Sequence, residues 1–263
     1  MAVQPKNRTR AIALVSSFAA LYAALRFIPF SIVIGTPGAF FSFSDFLPLL
    51  YAIMLGPSIG VLSVSLGTYV ALSLGRPPVF PEFIFFEFVP AVVNVLIVGF
   101  LTRGRRVLSL VIFLLFLSLF VLHPFTLNLV SFSIAGINGS VPFYWLHLVA
   151  IILLASPLAS RSVRLFWDAR SVNLLGISLL FAFIGTMGQH IAGGLLTEIS
   201  KGNIAGVFDA ARFRVLWTAV FVAYPFERSI ITIASGILAT AVMRSLRLSI
   251  ISQHRKHPFA PER

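Results

Sequence analysis

Apolar segments recur from one end of this chain to the other, and no other feature constrains the fold as strongly. They cover about residues 11–30, 45–56, 58–75, 83–101, 107–123, 143–160, 172–197 and 215–243. Roughly 20 apolar residues cross the hydrocarbon core of a bilayer as a helix, and lipid offers no partner to an unpaired backbone group. The expected fold is therefore all-α: a polytopic membrane helical bundle of about eight transmembrane helices, forming one integral membrane domain over 1–263. Charge usage agrees, since only 11% of residues are charged where soluble domains carry about 25%. The first run lacks a small-residue cleavage site and further spans follow it, so it reads as a span rather than a secretory signal.

The cationic residues are distributed unevenly between the two ends of these runs. Lys6, Arg8, Arg10, Arg103, Arg105, Arg106, Arg161, Arg164, Arg170, Arg244, Arg247, Arg255, Lys256 and Arg263 fall on one side. Arg26, Arg76, Lys201, Arg212 and Arg214 fall on the other, and Arg228 lies within the last run. Fourteen against five places both termini in the cytoplasm of a multi-pass cell-membrane protein, with a basic cytoplasmic tail over 248–263. The basic clusters then serve as orientation signals and lipid contacts, and the net charge of +12 does not call for nucleic acid.

Between Asp45 and Tyr69 the sequence reads DFLPLLYAIMLGPSIGVLSVSLGTY. Gly56-Pro57 predicts a tight break, because glycine accepts φ > 0 and proline cannot continue a preceding helix. Gly60, Ser63, Gly67 and Ala71 then recur near one helix face. Small residues at such spacing let a second helix approach closely, which counts in lipid because apolar contact alone drives little association there.

Candidate ligand-binding residues are the sparse polar groups near the outward ends of the runs. Glu87 lies about one turn inside the fourth run, with Asn94 seven residues on and on nearly the same face. A carboxylate there must face a cavity or a partner, Arg26 and Arg228 being the available cations. Asp45 starts a neighbouring run, and Gln189 and His190 sit in the outer third of the seventh. Glu227 and Arg228 follow Tyr224-Pro225, where about 20 residues counted back from Arg244 predict a helix start. Glu227 would there meet the positive end of the helix dipole. An excess of carboxylates over cations favours a ligand with some positive charge. Phenylalanines cluster nearby (Phe40, Phe41, Phe43, Phe46, then Phe80, Phe83, Phe85, Phe86, Phe88). Most such rings anchor at the lipid interface and a minority touch ligand.

At the level of motifs, SSFAALYAALRFIPF followed by LPLLYAIMLGPSIGVLSVSLGTY resembles the start of substrate-binding S components of energy-coupling factor (ECF) transporters. GQHIAGGLL (188–196) is similar to the penultimate helix of that family and YPFERSIITIASGILATAVMRSLR (224–247) to its last helix. The resemblance covers roughly 11–101 and 172–247, and implies a six-helix core. Residues 107–160 look like an inserted helical hairpin. It also implies capture of a vitamin or similar micronutrient, with an ECF T component and two cytoplasmic ATPase subunits as partners. Small residues of the first helix would dock on the T component: Ser16, Ala20 and Ala24 as one row, Ala19 and Ala23 as another. The N-terminal histidine motif of cobalt and nickel members is missing.

Other function classes fare worse. No G-x-S-x-G, H-E-x-x-H or paired-Asp motif is present, so no catalytic residues are expected, and the chain has no cysteine. G-x-x-x-x-G-K-[ST] is absent, so ATP would be used by a partner. His123 and His147 have no metal-ligand spacing, and neither a metal nor a cofactor is expected. An autonomous secondary transporter coupled to protons or Na⁺, or a membrane assembly protein without ligand, are the alternatives.

Overall fold

In the computed structural model, residues 8–134, 137–168 and 173–256 are described. Lys6, Arg170 and Arg263 of the charge pattern lie outside them. The chain is mostly helical, with α1 (Arg8–Leu25), α2 (Pro48–Met54), α3 (Gly56–Ser73), α4 (Val89–Leu101) and α5 (Arg106–Val121) in its first half. Then come α6 (Trp145–Ala155), α7 (Pro157–Trp167), α8 (Leu174–Glu198) and α9 (Ala210–Lys256). Two antiparallel hairpins interrupt the helices. The first pairs β1 (Pro29–Ile32) with β2 (Phe40–Ser42), and the second pairs β3 (Leu129–Ile134) with β4 (Ile137–Pro142).

Four helical segments are long and apolar enough to cross a membrane: Gly56–Ser73, Pro81–Leu101, Leu174–Ile204 and Ala210–Leu246. A fifth results if α6 and α7 are taken together across their 66° bend. The other runs do not give helices of that kind. α2 has seven residues, about 10 Å of rise against a hydrocarbon core of about 30 Å. α5 has 16 residues, and the first turn of α1 is diluted by Arg8 and Arg10. Hydropathy finds apolar stretches but does not measure how many residues a 3₁₀ turn or a hairpin takes from each.

Three further expectations change. The stretch over 124–142, between two apolar runs, contains the β3–β4 hairpin, with six residue pairs in register from Leu129↔Pro142 to Ile134↔Ile137. The polar stretch after Arg161 continues as helix to Trp167. Pro225 does not start a helix: α9 runs through it, so Glu227 lies in a helix interior rather than at a positive dipole end. Pro225 has no N–H for the Phe221 carbonyl, and Ser229 Oγ donates to the carbonyl of Pro225 itself at 2.7 Å.

Glycine sets the approach of α1 to α3. A Cβ on Gly67 would lie 2.6 Å from the Ala19 carbonyl oxygen and 2.9 Å from the Tyr22 Cβ. Gly60, Ser63, Gly67 and Ala71 are all buried, so the small-residue face of α3 is an internal seam. At the α2–α3 break Gly56 has φ +85°, and its missing Cβ leaves room for the Arg103 guanidinium 1.8 Å from where that atom would stand. Arg103 in turn donates to the carbonyls of Gly99 (3.1 Å) and Ala52 (3.4 Å). From this seam the packing continues from α3 to α4, α4 to α8 and α8 to α9. Tyr51, Val64, Val95, Ile97, Phe113, Phe181 and Ile184 form its core. A second apolar cluster, with Phe120, Phe143, Phe213 and Trp217, joins the β3–β4 region to α9.

Candidate functional site

One cavity of about 540 Å³ opens between the end of α1, the β1–β2 hairpin, the start of α4 and the facing stretches of α8 and α9. Asp45, Glu87, Gln189, His190, Glu227 and Arg228 all line it, although they come from four separated parts of the chain. Asn94 does not. It is buried behind the wall, where its Nδ2 donates to Gln189 Oε1 at 2.8 Å. Gln189 Nε2 then donates to Asp45 Oδ1 at 2.8 Å, while Asp45 Oδ2 accepts from the Ser42 backbone N–H at 2.9 Å. This chain of bonds fixes the amide orientation of Gln189 from behind.

Glu87 is engaged on both oxygens. Oε1 accepts from Arg26 Nη2 at 2.8 Å and Arg76 Nη1 at 3.3 Å, and the Val79 N–H reaches both oxygens at 3.1 Å. Oε2 also accepts from the Phe80 N–H at 3.0 Å. Arg76 spends its remaining donors on the carbonyls of Arg26, Pro77 and Phe40. Burial, with Arg26 beside it and Glu87 opposing, pulls the Arg76 guanidinium down to about 10, so it stays charged at neutral pH. The assembly closes the end of α1 onto the turn after α3 and the start of α4, making Glu87 a structural junction in the cavity wall.

The opposite wall is aromatic. The Tyr224 ring lies nearly parallel to that of His190, centroids 4.8 Å apart, with His147 behind at 5.8 Å. His147 Nε2 and His190 Nδ1 are hydrogen-bonded at 3.0 Å, one ring donating to the other. Tyr224 Oη donates to the Phe143 carbonyl at 3.0 Å. Trp217 completes the wall, its Nε1–H held by buried Glu198 at 2.9 Å. Thr126 also donates to Glu198, and His123 Nδ1 lies 3.0 Å from its other oxygen. Of the clustered phenylalanines, Phe40, Phe41 and Phe80 reach the cavity, whereas Phe43, Phe85 and Phe86 are exposed outside it.

Tyr22, Arg76 and Tyr224 therefore join the residues picked from the sequence, and Asn94 moves behind them. Arg76 gives no local signal: it follows Gly75 and precedes Pro77-Pro78, which reads as a solvated turn. The expected excess of carboxylates is absent, since Arg26, Arg76 and Arg228 balance Asp45, Glu87 and Glu227 around the cavity. Among the described residues no three His, Asp or Glu side chains are grouped to hold a metal. On α1, Ser16, Ala20 and Ala24 are exposed, but Ala19 and Ala23 are buried against the rest of the protein. The second of the two expected docking rows is consumed by the α1–α3 seam.

Comparison with known proteins gives no further guide: no family model matches the chain, and neither the curated proteins nor the solved structures contain a significant match.

Proposed function

We propose that this chain is the membrane-embedded substrate-binding subunit of an uptake system for a vitamin or similar micronutrient, energised by partner ATPases. The observation that carries the reading is the cavity itself. It is of small-molecule size and largely apolar-lined, with a few convergent polar groups contributed by the segments that follow α1 and α3 and precede α2 and α4, and by α8 and α9. The resemblance to ECF S components supplies the rest of the proposal: a T component as membrane partner, two cytoplasmic ATPases, no chemistry on the ligand, and both termini in the cytoplasm. The exposed row Ser16, Ala20 and Ala24 is the proposed docking face, because an exposed line of small side chains on an apolar helix admits another helix closely.

The deciding experiment is uptake in cells that carry the chain with and without co-expressed T and ATPase subunits. Uptake should require all of them and should stop when an ATPase Walker lysine is replaced. Ala20→Leu with Ala24→Leu should release the partners yet leave ligand binding by the isolated subunit within about twofold, since neither side chain reaches the cavity. Uptake by the chain alone, driven by a proton or Na⁺ gradient, would instead identify an autonomous secondary transporter.

A further inference from the structure

Arg76 and Arg228 are buried to nearly the same degree, 3% and 2% exposed, but they are satisfied very differently. Arg76 donates to three carbonyls and to Glu87. Among the described residues Arg228 makes one hydrogen bond, a long one of 3.3 Å from Nη2 to Glu227, and its Nε finds no acceptor. Its guanidinium otherwise rests on the Phe41 ring, 5.0 Å from the centroid. A guanidinium carries five N–H donors in a fork that matches a carboxylate or phosphate. A buried cation with most of those donors unused is costly unless an acceptor arrives.

On the acidic side both Glu87 oxygens are occupied, and each Asp45 oxygen accepts a hydrogen bond. Glu227 has only the same 3.3 Å contact to Arg228, but its side chain is 15% exposed and open to water, against 2% for Arg228. The unused capacity that is fully buried is therefore cationic. Tyr224 precedes Arg228 by four residues on α9, so the ring and the guanidinium share one helix face about 6 Å apart along the axis. Tyr224, His190 and Trp217 line the cavity on the same side.

We infer that the cavity takes a planar organic anion, with its carboxylate or phosphate on Arg228 and its ring against the Tyr224–Trp217 wall. The inference rests on the reading of this cavity as a substrate site and narrows it to a ligand class. It reverses the preference for a cationic ligand that the carboxylates alone would suggest.

Binding to the purified full chain in detergent tests it without any partner, so failure here is separable from failure of the uptake proposal. The probes are naphthoate and naphthyl phosphate as anions, naphthamide as the neutral analogue and naphthylmethylammonium as the cation, each titrated calorimetrically. At least one anion should bind tighter than the amide, and the ammonium weakest. Arg228→Gln should weaken the bound anion about tenfold to a hundredfold, the loss of a charge-assisted hydrogen-bond pair, and the amide far less. Glu227→Gln removes the one internal anion competing for Arg228 and should tighten anion binding. That variant keeps the test valid should Arg228→Gln fail to fold. Tighter binding of the amide or ammonium, no binding of either anion, or anion affinity unmoved by both substitutions would overturn the inference.

Discussion

Replacing Glu87 by glutamine tests whether this carboxylate serves the ligand or the fold. The side chain is nearly isosteric, but one oxygen becomes an NH₂ that faces donors rather than acceptors. Arg26 and Arg76, both buried, lose their shared counterion. Either the Phe80 N–H or the arginine pair loses its acceptor as well. Removing one partner of a buried ion pair costs about 3–5 kcal/mol, because the surviving charge is stranded. At about 2–4 °C per kcal/mol for a chain approaching this length, the apparent Tm should fall by about 6–20 °C. The assay is thermal unfolding of the purified, ligand-free protein in detergent, followed by tryptophan fluorescence. Adding Arg76→Met to Glu87→Gln should recover part of the loss, since one stranded charge is removed. A Glu87→Gln variant that keeps its Tm but loses ligand would refute the junction role and return Glu87 to the binding residues.

Other substitutions examine separate parts of the structure. Gly56→Ala should lower stability by at least about 1–2 kcal/mol, since alanine is strained at φ +85° and its methyl meets the Arg103 guanidinium; unchanged melting would mean the α2–α3 break adapts freely. Ala19→Leu should destabilise the isolated protein, and Ala20→Leu should not, because only Ala19 is packed into the α1–α3 seam. Similar melting of the two variants would contradict that packing. Glu198→Leu leaves the buried Trp217 N–H without its acceptor, while the Thr126 hydroxyl keeps the Phe120 carbonyl, for a loss of about 1–3 kcal/mol and a shifted tryptophan emission. For topology, the cysteine-free chain allows single labels. Ser140→Cys should react with an impermeant maleimide on intact cells and Arg105→Cys should not, and the reverse pattern would invert the proposed orientation.

Much of the fold was legible because it depends on local chemistry. Gly56-Pro57 announced a break that the backbone makes, and the spacing of Gly60, Ser63, Gly67 and Ala71 announced a buried face. The span number was less legible, since it depends on how residues are divided between helix and turn. The run at 45–56 yields Asp45 and Phe46 to a 3₁₀ turn and keeps seven residues in α2. Candidate site residues could be chosen by burial cost alone: a polar group in an apolar run must face something. What each one faces was not readable, because partners lie 61 residues apart for Arg26 and Glu87 and 144 apart for Gln189 and Asp45. For Glu87 the sequence offers Arg26 as one candidate partner beside a ligand, and the structure supplies Arg26 together with Arg76, which nothing local marks. On α1 the choice between its two alanine rows turns on one helical residue of rotation, which composition does not encode.

α9 is longer than a bilayer is thick. Its 47 residues rise about 70 Å, against about 40–45 Å for a membrane with its headgroups. Standing upright, it must project some 25 Å into water, and no tilt within the usual range of about 0–40° would hide all of that length. Tyr224 and Arg228 lie on the same unbroken rod. The wall of the cavity thus has a shaft that leaves the lipid, and whatever grips the shaft in the aqueous phase has mechanical purchase on the wall.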